Sequence, residues 1–198
     1  MRYLFSFLLF SLFTSSLSAT LRVSYNAYIP RDSDFSTEYG PSLGLGWFLP
    51  GDLIFLELEG GYLQTDGRRS FEEGGIGGNA DFRQRTIPLL AHASLSVPLG
   101  SDRTRLYGGV TAGAAYLDIR GDIEVAGQSF SDSVSDVVFV FGGGGGLLVQ
   151  LASALHLDLQ YRYLSFSDAA FSGDRLPETI KVSVPDAHRA SIGLMLKF

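Results

Sequence analysis

"LHLDLQYRYL", Leu155 to Leu164, sets Leu155, Leu157, Leu159, Tyr161 and Tyr163 in strict alternation with His156, Asp158, Gln160 and Arg162. A period of two residues is the mark of a β-strand with one apolar and one polar face. "AHRASIGLMLKF", Ala187 to Phe198, repeats the pattern, with Ala190, Ile192, Leu194, Leu196 and Phe198 on one face and Arg189, Ser191, Gly193 and Lys197 on the other. Met195 is the one bulky apolar residue on that polar side.

Working backwards from these two, strands are expected near 20–28, 41–49, 53–63, 86–97, 104–117, 137–151, 155–164 and 187–198. The connections between them sort by length. "PGD" at 50–52, "PLGSDR" at 98–103 and "AS" around 152–154 are tight turns, whereas 29–40, 64–85, 118–136 and 165–186 are long and rich in Asp, Glu, Ser and Gly. Short turns at one end and long loops at the other are the habit of a transmembrane up-and-down barrel, and an even strand count returns both termini to the short-turn end.

Composition narrows the class. A formal net charge of −6 without a basic stripe argues against nucleic-acid binding. The chain has no cysteine, which excludes thiol chemistry, cysteine metal sites and disulfide stapling. "MRYLFSFLLFSLFTSSLSA" has a basic Arg2, an apolar run from Tyr3 to Phe13 and small residues up to Ala19. It is expected to be a secretory signal peptide over residues 1–19, leaving 20–198 as one barrel domain. The apolar run is shorter than the roughly 20 residues a spanning helix needs.

A soluble ligand-binding barrel is apolar inside, and an outer-membrane barrel is apolar outside. Glu57, Glu59, His92, Asp158, Gln160, Arg162 and Arg189 occupy mid-strand positions on the polar face. Facing lipid, a basic residue at the midplane costs roughly 2–4 kcal/mol. Inside a narrow lumen the same groups pair, so the polar face is assigned to the lumen, with Arg105 as a further candidate member. Trp47 and Tyr107 are then expected at the inner rim, and Tyr25, Tyr62, Tyr116, Tyr161 and Tyr163 toward the outer one, as in an aromatic belt.

The whole of 20–198 resembles the small eight-stranded outer-membrane β-barrels, such as the OmpX/Ail group, the opacity proteins and the OmpA membrane domain. The carrying residues are Phe198 as last residue with Leu196, Leu194, Ile192 and Ala190 at alternate positions, together with "RTIPLLAHASLSVPLG" and "TRLYGGVTAGAAYL". The resemblance implies an all-β, eight-stranded antiparallel transmembrane barrel in the outer membrane, most simply a monomer. It also implies contact with outer-membrane lipid and lipopolysaccharide or its equivalent, and a barrel-assembly machinery that reads Phe198, Leu196 and Leu194. Nothing matches the peptidoglycan-binding domain that follows the barrel in OmpA.

Three function classes follow. The first is a structural or adhesin-like surface protein acting through four exposed acidic loops toward a host or extracellular ligand. Arg120, Gly121 and Asp122 spell the tripeptide integrins recognise, at the base of the third long loop, as a candidate adhesion motif. The second is a small pore for ions or hydrophobic solutes. The third is a lipid A-modifying enzyme, because His92 and Ser94 stand two apart as in the His-x-Ser pair of the lipid A 3-O-deacylases. Both residues are expected to face the lumen, away from any lipid ester, so no catalytic residue is assigned. No cofactor is expected, and no metal, since no acidic stretch has EF-hand spacing.

"VVFVFGGGGGLLVQL", Val137 to Leu151, is read as a thin wall of the sixth strand. Breaking a strand there would open backbone groups to lipid, and no lysine or helix follows to make a phosphate loop. Gly142, Gly144 and Gly146 are expected to face the lumen under long side chains such as Arg162 or Gln160 of the seventh strand.

Overall fold

A computed structural model describes residues 18–31, 36–73, 76–101, 103–125, 128–171, 180–182, 184 and 186–198. The alternating segments form long antiparallel strands. They are β1 (Ser18–Pro30), β2 (Glu38–Phe48), β3 (Ile54–Gly61), β4 (Leu63–Glu73), β5 (Ile76–Pro98), β6 (Thr104–Val125), β7 (Gln128–Gln150), β8 (Leu155–Phe166) and β11 (Ala187–Lys197), with a small pair β9 (Ala169–Phe171) and β10 (Ile180–Val182). β3 and β4 together make one stave, interrupted at Tyr62, whose N–H reaches the Pro41 carbonyl. Proline has no N–H to return, so the ladder loses a rung there.

The staves run β1, β2, β3/β4, β5, β6, β7, β8, β11, and β11 pairs back onto β1. This closed ring of eight antiparallel staves leaves no sheet edge in its wall, the only way a sheet can satisfy its backbone in lipid. The seam runs from Thr20 opposite Lys197 to Pro30 opposite Ala187. Below it, Ala19 and Phe198 exchange both backbone hydrogen bonds, at 3.0 and 2.9 Å.

Two of the four expected long loops are not loops. Residues 64–85 are largely β4 paired with β5 up to Glu73 opposite Ile76, and 118–136 are β6 paired with β7 up to Val125 opposite Gln128. In both segments the sequence shows no apolar–polar alternation, yet the backbone keeps its pairing. β5 and β6 also stay paired to Gly78 opposite Val125, which makes β4 to β7 one continuous sheet at the long-hairpin end. The Arg120–Asp122 tripeptide therefore lies within strand β6 rather than at the base of a loop, Arg120 opposite Arg83 and Asp122 opposite Asp81.

Face assignment follows burial. Outward positions are apolar and exposed, among them Val23, Leu43, Leu58, Leu89, Val110 and Phe139, and Leu89 and Phe139 reach 66 % and 74 %. Tyr25, Tyr62, Tyr116 and Tyr161 are also exposed. Tyr107 departs from its expected rim position: it is buried, with its ring turned into the barrel.

Candidate functional site

The lumen is filled in three layers. At the short-turn end Phe48, Phe55, Tyr107, Leu148 and Met195 form an apolar floor, with the two phenylalanine rings 4.6 Å apart. Met195, the apolar exception on the polar side of its strand, belongs to this floor. Lys197 closes it from below, 5.0 Å over the Phe48 ring and 2.7 Å from Asp52.

The middle layer is ionic. Arg22 of β1 donates to Glu57 at 2.5 Å, to Glu59 at 2.7 Å and to Asp158 at 2.9 Å, so one guanidinium ties three strands across the barrel. Arg162 donates to Glu59 at 3.0 Å and lies 3.9 Å from Glu57. Arg189 bonds the other Glu59 oxygen, and also Asn26 at 2.6 Å. Tyr107 donates to Asp158 at 2.5 Å, and Gln160 donates to Tyr107 at 2.9 Å. Three arginines thus face three carboxylates, a balanced set among the described residues, as buried ions must be if they are not to cost several kcal/mol each.

The glycines of β2 make room for this layer. A Cβ on Gly44 would lie 2.9 Å from the Glu57 carboxyl carbon, so the carboxyl lies flat against the facing strand only because Gly44 has no side chain. The same holds at Gly144 of β7, where a Cβ would meet the Tyr161 carbonyl, Arg162 Cα at 2.6 Å and Arg162 Cγ at 2.9 Å. The five-glycine run is paired on both sides, Gly142 to Gly146 opposite Thr111 to Tyr107 on β6 and opposite Leu164 to Gln160 on β8.

The residues singled out from the sequence thus lie as follows. Glu57, Glu59, His92, Asp158, Gln160, Arg162 and Arg189 are all buried in the lumen. Arg105 does not join them: it bonds Ser96 and the Asp52 carbonyl at the short-turn end. Arg22, the hub, was not singled out. Its signal was present, since Arg22, Ser24 and Asn26 alternate with Leu21, Val23 and Tyr25. Leu194, Leu196 and Phe198 point outward and are exposed, and the Arg120 side chain is exposed, 3.5 Å from Asp118.

His92 and Ser94 do not form a nucleophile–base pair. The imidazole Nδ1 meets Thr111 at 2.7 Å and Nε2 meets Glu59 at 2.9 Å, which leaves neither nitrogen for Ser94. Glu57, Glu59 and His92 bring three potential metal-ligating atoms within 4.8 Å of one another. The same carboxylates are held by Arg22, Arg162 and Arg189, which already supply the positive charge a metal ion would bring.

The third layer, toward the long-hairpin end, is apolar again: Leu90, Leu117, Val138, Val140 and Leu164 are each 1 % exposed and pack under Tyr28 and Leu63. A closed eight-stave barrel with an apolar outer wall and a buried ionic interior is the arrangement of an outer-membrane protein. The profile of the outer membrane protein beta-barrel domain family matches residues 10–198. The chain belongs to that family. The barrel accordingly resides in the outer membrane, with its short turns on the periplasmic side.

No curated protein matches the chain at significant similarity. Several solved barrels share its fold. A major outer membrane protein from Thermus thermophilus gives a TM-score of 0.59 at 13 % identity, over 91 % of this chain and 99 % of that one. OprG from Pseudomonas aeruginosa gives 0.54 at 17 % identity over 93 % and 97 %, and Neisserial surface protein A gives 0.53 at 14 % over 92 % and 97 %.

Proposed function

We propose that this barrel is a closed membrane anchor whose work is done on its outer face, in a structural or adhesin-like surface role, with no chemistry of its own. The observation that carries this is the filled lumen: an ionic layer of three arginines and three carboxylates lies between two apolar layers. An eight-stranded barrel is only just wide enough for side chains to fill its interior, and here they fill it. An ion entering would have to strip water and displace paired charges. What the barrel offers to other molecules is then the β4–β7 sheet that continues above it, with the acidic Asp118, Asp122, Glu124, Asp132 and Asp136 along β6 and β7.

In this reading the protein is a monomer, residues 1–19 are removed on export so that the mature seam begins at Thr20 opposite Lys197 and the Ala19–Phe198 pair is lost, and the assembly machinery reads Phe198, Leu196 and Leu194. Outer-leaflet lipid and lipopolysaccharide pack against the exposed apolar band. A lipid A-modifying role is disfavoured because His92 and Ser94 are 4 % and 9 % exposed and both imidazole nitrogens are held, by Thr111 and Glu59.

Planar-bilayer recording tests the closed anchor: silence across many insertions is expected, and steady unitary conductance would overturn it. Cells or vesicles carrying the barrel should bind extracellular-matrix or host-cell surfaces, and trimming the β4–β5 and β6–β7 hairpins to the barrel rim should abolish that binding. Equal binding after trimming would remove the surface role.

A further inference from the structure

On the outside of the wall, between β3 and β6, lies a hollow of about 460 Å³. Its floor is made of short side chains, Ala91 and Ala93 of β5 and Ala112 of β6, all exposed. Leu56 and Leu58, directly opposite Ala93 and Ala91 on β3, form one bank, and Val110, opposite Ala93 on β6, forms the other. Along β5 the next outward residues are Leu89 and Leu95, 66 % and 61 % exposed, so the alanines are sunk between large apolar side chains. Trp47, opposite Leu56 and close to the Pro50–Asp52 turn, marks the periplasmic end of the hollow. Glu57 and His92 also border it, but their side chains turn inward to Arg22 and Thr111, so the hollow presents hydrocarbon.

We infer that this hollow seats one unbranched acyl chain of a periplasmic-leaflet phospholipid, in preference to the rest of the wall. The wall lies in the outer membrane, so hydrocarbon covers it, and hydrocarbon gains nothing hydrophobic by leaving lipid for protein. Selectivity inside a bilayer comes from packing instead. An unfilled hollow forfeits dispersion contacts on every atom that lines it. Its volume is many times the roughly 10–15 Å³ that one water needs, so a chain end leaves it mostly empty, whereas a chain lying along the floor fills it. The banks exclude a second barrel as occupant: a barrel wall is convex, and Leu58, Val110, Leu89 and Leu95 hold it off the alanines. Methyl branches on a chain are held off in the same way. On the order of ten added carbon–carbon contacts correspond to about a tenfold preference, and ordering the chain reduces it to about threefold.

Trp47 is the one tryptophan of the chain, so its fluorescence reports on this hollow directly. The barrel is reconstituted in bilayers of phosphatidylcholine brominated along its chains, and the quenching is relieved by adding either straight-chain phosphatidylcholine or its methyl-branched diphytanoyl analogue. The straight-chain lipid should relieve quenching at about threefold lower mole fraction. Ala93→Leu, which fills the floor, should bring the two lipids to parity. Leu194→Ala, on β11 directly across the barrel from β5, should leave the difference in place. If Ala93→Leu loses its folded-barrel migration on gels, Ala91→Leu makes the same test. Equal relief by both lipids in the unaltered barrel overturns the inference, as does a difference that survives filling of the floor. So does quenching that falls as the protein-to-lipid ratio rises, the mark of a second copy on the hollow.

Discussion

Replacing Arg22 with methionine is the sharpest probe of the ionic layer. The side chain is 1 % exposed and donates to Glu57, Glu59 and Asp158. Methionine keeps most of the volume but leaves three carboxylates facing two arginines, an uncompensated buried charge. Breaking a buried ionic set by removing one partner costs about 3–5 kcal/mol. With a urea slope on the order of 2 kcal/mol per molar, the unfolding midpoint should fall by roughly 2 M. The assay is urea unfolding in lipid vesicles, read by the shift between folded and unfolded bands on unheated gels. Arg105→Met is the matched control, since among the described residues Arg105 bonds Ser96 and the Asp52 carbonyl but no carboxylate, and about 1 kcal/mol is expected there. Adding Glu57→Gln to Arg22→Met rebalances the charge and should recover about 1–3 kcal/mol, the coupling expected of residues in one network. If Arg22→Met cost no more than Arg105→Met, or the double variant were as weak as the sum of the singles, the lumen would not be held by charge pairing.

Further outcomes follow from the same geometry. Gly144→Val places a Cβ against the Tyr161 carbonyl and Arg162 Cα, so folded-barrel migration should be lost, whereas Gly60→Ala, whose Cβ meets nothing within 4 Å, should fold normally. Single cysteines at Leu159, Ile192 and Leu194 should react with membrane-phase labels, and cysteines at Ser24 and Ser191 should not. Asp186, at the outer end of the seam, accepts a hydrogen bond from Tyr163, and this holds its carboxyl below the ordinary carboxylate range. A group depressed in the folded state contributes stability above its unfolded pKa that is lost as pH falls through its folded one. NMR titration of Asp186 should therefore show a low midpoint that returns toward the ordinary value in Tyr163→Phe.

The sequence was most legible where one face of a strand meets lipid and the other meets charge. β8 and β11 could be assigned residue by residue because Asp158, Gln160, Arg162 and Arg189 cannot face hydrocarbon. The same physics hid the rest. In "VVFVF", Val138 and Val140 point into an apolar lumen while Val137, Phe139 and Phe141 point into lipid, so a strand apolar on both sides shows no period and the apolar outer layer left no trace. The upper halves of β4 to β7 were missed because their polar, Gly-rich sequence carries no alternation, while their pairing is made by backbone groups that every residue supplies. Arg22 escaped because its strand directly follows the expected signal peptide, where an alternating pattern is easily lost beside a longer apolar run.

The seam imposes an order of events on assembly. β1 pairs on one edge with its neighbour in sequence, β2, and on the other, from Thr20 to Pro30, with β11, far along the chain. Local hairpins between neighbouring staves can zip early, but closure joins the first stave to the last, the contact with the greatest loop-closure cost and the slowest kind to form. Until then β1 and β11 each carry an open edge, and open edges seek strands from any chain nearby. The interval between the first hairpin and the last bond is therefore the barrel's most aggregation-prone stage, and a substitution at the exposed Leu194 or Leu196 should lengthen it while leaving the floor around Met195 in place.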